Sequence, residues 1–235
     1  FMDYQAFERI ASTYGLIITQ KQYDDLLVYA KRLIDYNQKV NLTAIIELDQ
    51  IFIKYFLDSL LVLKYIGDGQ KVADVGTGAG FPGLVLALFL PNCMFTLIEP
   101  TQKRVVFLQS IKEELDLSNV EIQNERAEDL KHLKETFDVV VSRAVARLDI
   151  LLELCIPLVR VKGTFIALKG AQGKAELSIS ENALKVLKSK VKVIEEIILD
   201  DGQTKALRQN IVIEKEAKTP NIYPRLYSKI KKQPL

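Results

Sequence analysis

Two hydrophobic rhythms divide the chain. Through residue 69, apolar side chains recur at three- and four-residue spacing, the signature of helices packed by one face. Tyr23, Leu26, Leu27, Ala30, Leu33 and Ile34 fall on one face, with Lys21, Asp24, Asp25, Lys31 and Asp35 elsewhere. A polar break at 37–43 follows, and then a second helix is expected from about Leu48 to Ile66. That stretch is apolar around most of its girth (Ile51, Phe52, Phe56, Leu57, Leu60, Leu61, Leu63), so it should be buried on more than one side.

From Gln70 the rhythm changes to short apolar strands separated by helices. Strands are expected at 71–75, 94–98, 120–123, 137–141 and 163–168. Helices are expected at 84–90, at 102–115 behind a Thr101 N-cap, near 128–133, at 148–159 and at 174–189. Such alternation implies a parallel sheet covered on both faces. The last two strands, 193–199 and 211–214, are joined by about ten residues with no helical period. A parallel crossover needs a dozen or more, so these strands should pair antiparallel. The expected fold class is α/β, a doubly wound, mostly parallel sheet with a closing antiparallel hairpin and an N-terminal helical extension, the architecture of Rossmann-like methyltransferases. Residues 1–69 form the extension, 70–216 the core and 217–235 a basic tail.

The run DVGTGAGFPG at 74–83 follows a strand and opens a helix. Glycine at such a turn lets a ligand approach the backbone closely. Two cofactor classes use such a loop. Gly78, Gly80 and Gly83 satisfy G-x-G-x-x-G, the nicotinamide dinucleotide pattern; Asp74, Gly76, Gly78 and Gly80 satisfy D-x-G-x-G-x-G. A carboxylate beside the loop repels a pyrophosphate and attracts an ammonium group, which favours S-adenosylmethionine. Glu99 ends the second strand, where a carboxylate can accept both ribose hydroxyls of an adenosine. Ala127 and Glu128 follow the third strand, where an adenine edge would lie, although a glutamate in a first helical turn also answers the helix dipole.

Composition narrows the partners. The formal net charge is only +2, so any nucleic-acid preference must come from where charges sit. Cys93 and Cys155 lie far apart in apolar runs and read as buried free thiols, which fits a reducing cytoplasm. His132 lies in a polar stretch and is expected at the surface; no metal site is expected. No apolar run is long enough to cross a membrane, the start does not read as a signal peptide, and Met2 reads as the natural first residue. No general base is evident. Methyl transfer from a sulfonium to an unprotonated ring nitrogen needs none.

Several segments together resemble the bacterial 16S ribosomal RNA guanine-N7 methyltransferases, the glucose-inhibited division protein B family. They are Asn41–Thr43, Phe56–Leu60, Asp74–Gly83, Arg126–Glu128, Ser142–Ala146, Leu168–Gly170, Thr219–Arg225 and Gln233–Leu235. The resemblance implies methylation of guanine N7 in a 16S rRNA loop near the decoding centre. It also implies cofactor contact by Gly76, Phe81, Ala127, Glu128 and Arg143. Tyr55 departs from the family, which often has histidine there, and the tail at 226–232 lacks the family's glycine.

Basic residues Lys218, Arg225, Lys229, Lys231 and Lys232, interleaved with Tyr223 and Tyr227, suit phosphate contact and base stacking. Arg143 and Lys169 follow the fourth and fifth strands on the ligand edge; an arginine there suits the cofactor carboxylate, a flipped base or a phosphate alike. Asn41 is a further candidate for framing the base. The expected partner is 16S ribosomal RNA or a small-subunit particle, bound by a monomer with no membrane association. The competing readings are a nicotinamide-dependent oxidoreductase and a non-catalytic RNA-binding relative.

Overall fold

Seven strands form one sheet: β1 (Lys71–Val75), β2 (Met94–Ile98), β3 (Val120–Gln123), β4 (Phe137–Arg143), β5 (Val159–Lys169), β6 (Ser189–Asp200) and β7 (Lys205–Lys215). Their order is β3-β2-β1-β4-β5-β7-β6. The computed structural model describes residues 2–235, and Phe1 lies outside them. β1 to β5 pair parallel, and β7 runs antiparallel between β5 and β6. The reason for that reversal is local. Only residues 201–204 join β6 to β7, too few for a crossover. Asp201 closes the turn by accepting the N–H groups of Gln203 and Thr204 at 2.8 and 2.6 Å. Both strands are longer than the apolar runs at 193–199 and 211–214, because β6 is an edge strand whose ladder continues beyond its apolar run through exposed Lys190 and Asp200.

Successive residues of the central strands face opposite layers. Val72, Val139, Val141 and Ile166 enter a core shared with the N-terminal helices α1 (Tyr4–Thr13) and α2 (Gln20–Asn37) and with α5 (Gly83–Phe89) and α6 (Gln102–Glu114). Ala73, Val140, Phe165 and Ile211 enter the opposite core with α7 (Leu148–Cys155). α2 begins with a Thr19–Gln22 capping box, which explains its sharp start.

Three helices expected from sequence are broken. The stretch from Leu48 is α3 (Leu48–Ile51), a wide turn with i→i+5 pairing at Phe52–Leu57, α4 (Asp58–Leu60) and a tight turn at Leu63–Tyr65. The wide turn frees the Lys54 carbonyl, which accepts from Arg143 Nη1 at 3.1 Å. The 174–189 stretch is two short helices, α8 (Gly173–Ser178) and α9 (Glu181–Val186), interrupted where the Ser180 hydroxyl donates to the Glu176 carbonyl. The 128–133 stretch is two tight turns, Ala127–Asp129 and Lys131–Leu133.

The C-terminal segment is docked. Lys215 is fully buried, paired with Glu135 at 3.1 Å, and Glu135 also accepts the Thr219 N–H at 2.9 Å. Beyond it lies α10 (Tyr227–Lys232), with Ile230 buried against the α7 side of the sheet.

α5 has no glycine cap at its C-terminus. Instead the Asn119 amide donates to the carbonyls of Ala87, Leu90 and Cys93, each at 3.1 Å. Asn119→Ala leaves those carbonyls without their donor and is expected to lower unfolding free energy by about 1–3 kcal/mol in urea titrations. Exposed Ser118→Ala should leave it unchanged.

Candidate functional site

The crossovers from β1 and β4 leave the sheet toward opposite faces, so the C-terminal ends of these strands are uncovered. The glycine loop lies there. The Gly76 N–H donates to the Ile98 carbonyl at 2.9 Å, which hangs the loop on the end of β2. Gly78 has φ +63°, and a Cβ there would meet only the Gly76 oxygen at 4.0 Å, so a side chain at this position projects into open space. Gly83 is different. A Cβ there would strike Leu97 at 2.6 Å and Asp74 at 2.7 Å, so this glycine serves helix-to-sheet packing.

Asp74 corrects one sequence-based expectation. It does not line the open crevice; it is fully buried behind the loop, where Oδ2 accepts the Gly83 N–H at 2.7 Å. Its Oδ1 and the buried Thr77 hydroxyl lie near enough to interact but do not meet in hydrogen-bond geometry. Burial pushes the Asp74 carboxyl up to about 6, against the lowering effect of its hydrogen bonds and of Arg143.

Glu99 is almost fully buried at the end of β2. Its Oε1 accepts from the Gly78 N–H at 3.1 Å and from Arg104 Nη1 at 3.2 Å, and Oε2 accepts the Thr101 N–H at 2.9 Å. Thr101 thus sits at the N-cap position, but its backbone, not its hydroxyl, makes the local bond. Glu99, Gly76, Ala127 and Glu128 line one cleft of about 260 Å³, together with Ile98, Arg126 and Tyr227. Burial raises the Glu128 carboxyl from its ordinary value. Gly76, Gly78, Phe81 and Arg143 line a second cleft of about 250 Å³ with Leu42, Thr43 and Tyr55. Gly80 lies in the same loop, where a Cβ would collide with the Tyr29 hydroxyl at 2.1 Å.

Arg143 is held from three sides. Its guanidinium carbon lies 5.1 Å from the Tyr55 ring centre and 5.3 Å from that of Phe81. Those rings stack at 4.6 Å, and the Tyr55 hydroxyl bonds the Thr43 hydroxyl. Arg143 Nη1 pairs with buried Asp58 at 2.9 Å, and Arg208 takes the other Asp58 oxygen at 2.7 Å. Tyr55 is therefore an integral part of this stack. Sequence reasoning missed Arg208, and it passed over Lys54, Arg104 and Arg147. Asp58 lay in a quoted segment without a role, and its isolation in an apolar stretch was the available signal.

A third cleft, about 550 Å³, adjoins these two and is lined by Lys54, Asp58, Arg143, Arg147, Lys169, Glu176 and Arg208 among others. All three clefts share Ala144, a non-glycine residue at φ +56°. Lys169 lines the widest cleft with its ammonium paired to Glu176 at 2.7 Å and donating to the Ala146 carbonyl. Arg225, expected from sequence as an RNA contact, has its guanidinium bound to buried Glu153 through Nε–Oε1 at 2.9 Å and Nη2–Oε2 at 2.6 Å, which makes it an anchor of the tail. Lys231 and Lys232 are exposed on α10. His132 is exposed on a tight turn, and Cys93 and Cys155 are buried free thiols.

The family model for rRNA small subunit methyltransferase G (GidB) matches residues 22–204. A ribosomal RNA small subunit methyltransferase G from Mycoplasma capricolum is 46% identical over 217 residues, covering 92% of this chain and 93% of the relative. One from Desulfitobacterium hafniense is 42% identical over 217 residues, covering 91% and 90%. Among solved structures, a SAM-dependent O-methyltransferase from Thermotoga maritima superposes with TM-score 0.54 at 16% identity, covering 80% of this chain and 73% of that one. M. jannaschii TYW2 in complex with AdoMet gives 0.54 at 15% identity, covering 68% and 76%. These likenesses establish the methyltransferase fold. With the antiparallel β7 and the packing role of Gly83, they displace the nicotinamide reading. The chain belongs to the rRNA small subunit methyltransferase G (GidB) family.

Proposed function

We propose that this protein transfers a methyl group from S-adenosylmethionine to N7 of a guanine in 16S ribosomal RNA. The observation that carries the reading is the meeting of two narrow clefts and one wide, arginine- and lysine-lined cleft at Ala144. A cofactor laid along the narrow clefts presents its reactive end where the wide one opens.

The residues present suit that cofactor. Glu99 is fixed to accept ribose hydroxyls, and Ala127 and Glu128 face the place of an adenine edge. The bare backbone of Gly76 and Gly78 and the ring of Phe81 receive the amino-acid end, while Gly80, expected from sequence to bind the cofactor, lines neither narrow cleft and instead admits the Tyr29 hydroxyl behind the loop. The unpartnered Asp74 oxygen behind the loop adds negative potential for a cation. The cofactor supplies an activated methyl on sulfur. Such a methyl would pass to the N7 lone pair of a guanine held in line with it, the carbon–sulfur pair returning to sulfur and the positive charge passing to the base. No proton moves, so the chain's work is alignment. Arg143, locked by Asp58, Tyr55 and Phe81, is a rigid border between cofactor and base. Lys54, Arg147 and Arg208 are each paired with a carboxylate (Asp201, Asp149 and Asp58), so the attraction of the wide cleft for RNA phosphate comes from the excess of cations over Asp58 and Glu176 in its lining, and exposed Lys231 and Lys232 extend the basic surface. The substrate is 16S rRNA or its small-subunit particle, met by a monomer in the cytoplasm. No helix among the described residues is long and apolar enough to cross a membrane.

Incubation with tritiated cofactor and 16S rRNA, followed by mass mapping, should place label on one guanine. Absence of incorporation into RNA and particle alike would overturn the reading in favour of a non-catalytic RNA binder.

Gly78→Val should weaken cofactor binding at least about 10-fold by calorimetry, because the side chain fills the crevice, and should lower the urea midpoint modestly, because a β-branched residue held at φ +63° is strained by about 1–3 kcal/mol. Asp74 gives a pH signature. Its carboxyl ionises near 6 in the unliganded protein, and a bound cation favours the ionised form. Cofactor affinity should therefore fall by up to about 10-fold from pH 7 to pH 5, and Asp74→Asn should flatten that profile. The same raised value means the unliganded protein gains stability as pH falls through 6, because the folded state holds the proton more tightly. Replacing Lys231 and Lys232 together with alanine should reduce the slope of log RNA affinity against log salt by about 1.5 to 2 units.

A further inference from the structure

The glycine loop and strand ends leave one side of the nucleoside cleft to be closed by the far end of the chain. Tyr227, the first residue of α10, lines that cleft beside Arg126, Ala127 and Glu128. The inner lining is apolar, from Val75, Ile98 and Leu154. Tyr227 supplies an aromatic ring on the remaining side, with the Arg126 guanidinium 5.5 Å from the ring centre.

The ring is fixed by the same interactions that anchor the tail. Glu153 on α7 is fully buried, so its charge requires a partner. Arg225 supplies a two-pronged one and adds its backbone N–H to Oε1 at 2.8 Å. Arg225 Nη2 also donates to the Gln233 carbonyl at 3.0 Å, which ties together the two ends of the segment carrying α10. Ile230, one turn beyond Tyr227, is buried in the core below. With the guanidinium fixed on one side and Ile230 on the other, Tyr227 has little freedom to leave the cleft.

We propose that Tyr227 is a positioning residue for the adenosine moiety of S-adenosylmethionine, held over the cleft by the Arg225–Glu153 clamp. The proposal rests on the assignment of this cleft to the cofactor nucleoside. An adenine between Ile98 and the Ala127 backbone has its edges met by polar groups, and its face needs a flat apolar surface, which a tyrosine ring provides. The C-terminal segment is thereby a part of the cofactor site, and loss of the clamp loosens the nucleoside without touching the glycine loop.

The test is calorimetric titration of S-adenosylhomocysteine and of adenosine into the full-length protein and its Tyr227→Leu, Tyr227→Phe, Arg225→Ala and Glu99→Ala variants. Tyr227→Leu keeps apolar volume against the core and should weaken both ligands by about 10-fold. Tyr227→Phe should restore affinity to within about twofold, and Arg225→Ala should follow the leucine variant. In methyl transfer, the leucine variant should raise KM for the cofactor and keep kcat at saturation, a split that general loosening of the fold does not produce. Parent-like affinity in Tyr227→Leu with loss in Glu99→Ala overturns the proposal and keeps the cleft assignment. Parent-like affinity in both overturns the two together. Equal loss in the leucine and phenylalanine variants also overturns it, since the ring would then not be what matters. Should Tyr227→Leu fail to fold by circular dichroism, Tyr227→Met takes its place in the same titration with the same criteria.

Discussion

Where the crossover from β1 turns to one face of the sheet and that from β4 to the other, neither helix can cover the strand ends between them. That divergence is the constraint on which the site depends. It exposes backbone at the end of the most buried strands, and exposed backbone is useful only where side chains stay out of the way. Gly78 leaves the crevice open, while Gly76, Gly80 and Gly83 let Val145, Tyr29 and Asp74 close in around the loop. The glycines of one short run therefore have different tasks, and only the structure separates them.

The helical extension completes the site from above. The Tyr29 hydroxyl donates to the Ala79 carbonyl, and its ring lies 5.5 Å from that of Phe81. Tyr55, Phe81 and Arg143 continue the stack, and Asp58 pairs with both Arg143 and Arg208, one oxygen to each. A buried arginine without its carboxylate would be costly. The wide turn that breaks the Leu48–Ile66 stretch is part of the same arrangement, because it offers the Lys54 carbonyl to Arg143. The extension is thus tied to β4 and β7 through charge, and the boundary drawn from sequence at residue 69 separates segments that share one site.

Much of this was legible in the chain. Alternating strand and helix patterns gave a mostly parallel sheet covered on both faces, because burial on one or two faces leaves a direct imprint on residue type, and the short link between the last two strands gave the antiparallel close. The acid-plus-glycine run and Glu99 gave the cofactor class, since close backbone approach and ribose recognition demand those residues. What was not legible depended on distant pairing. Arg225 read as an RNA contact because its partner Glu153 is remote in sequence. Asp74 read as open to ligand because its burial depends on Gly83 and Leu97 closing over it. Arg208 gave no local signal, and its meaning comes only from the register of β7 against β5.

The most direct test of the account is a crystal structure with S-adenosylhomocysteine bound. The account places its ribose on Glu99, its adenine between Ala127 and Tyr227, and its amino-acid end over Gly76 and Gly78. Density for that compound elsewhere on the molecule, or a glycine crevice filled by the protein's own side chains, would contradict it.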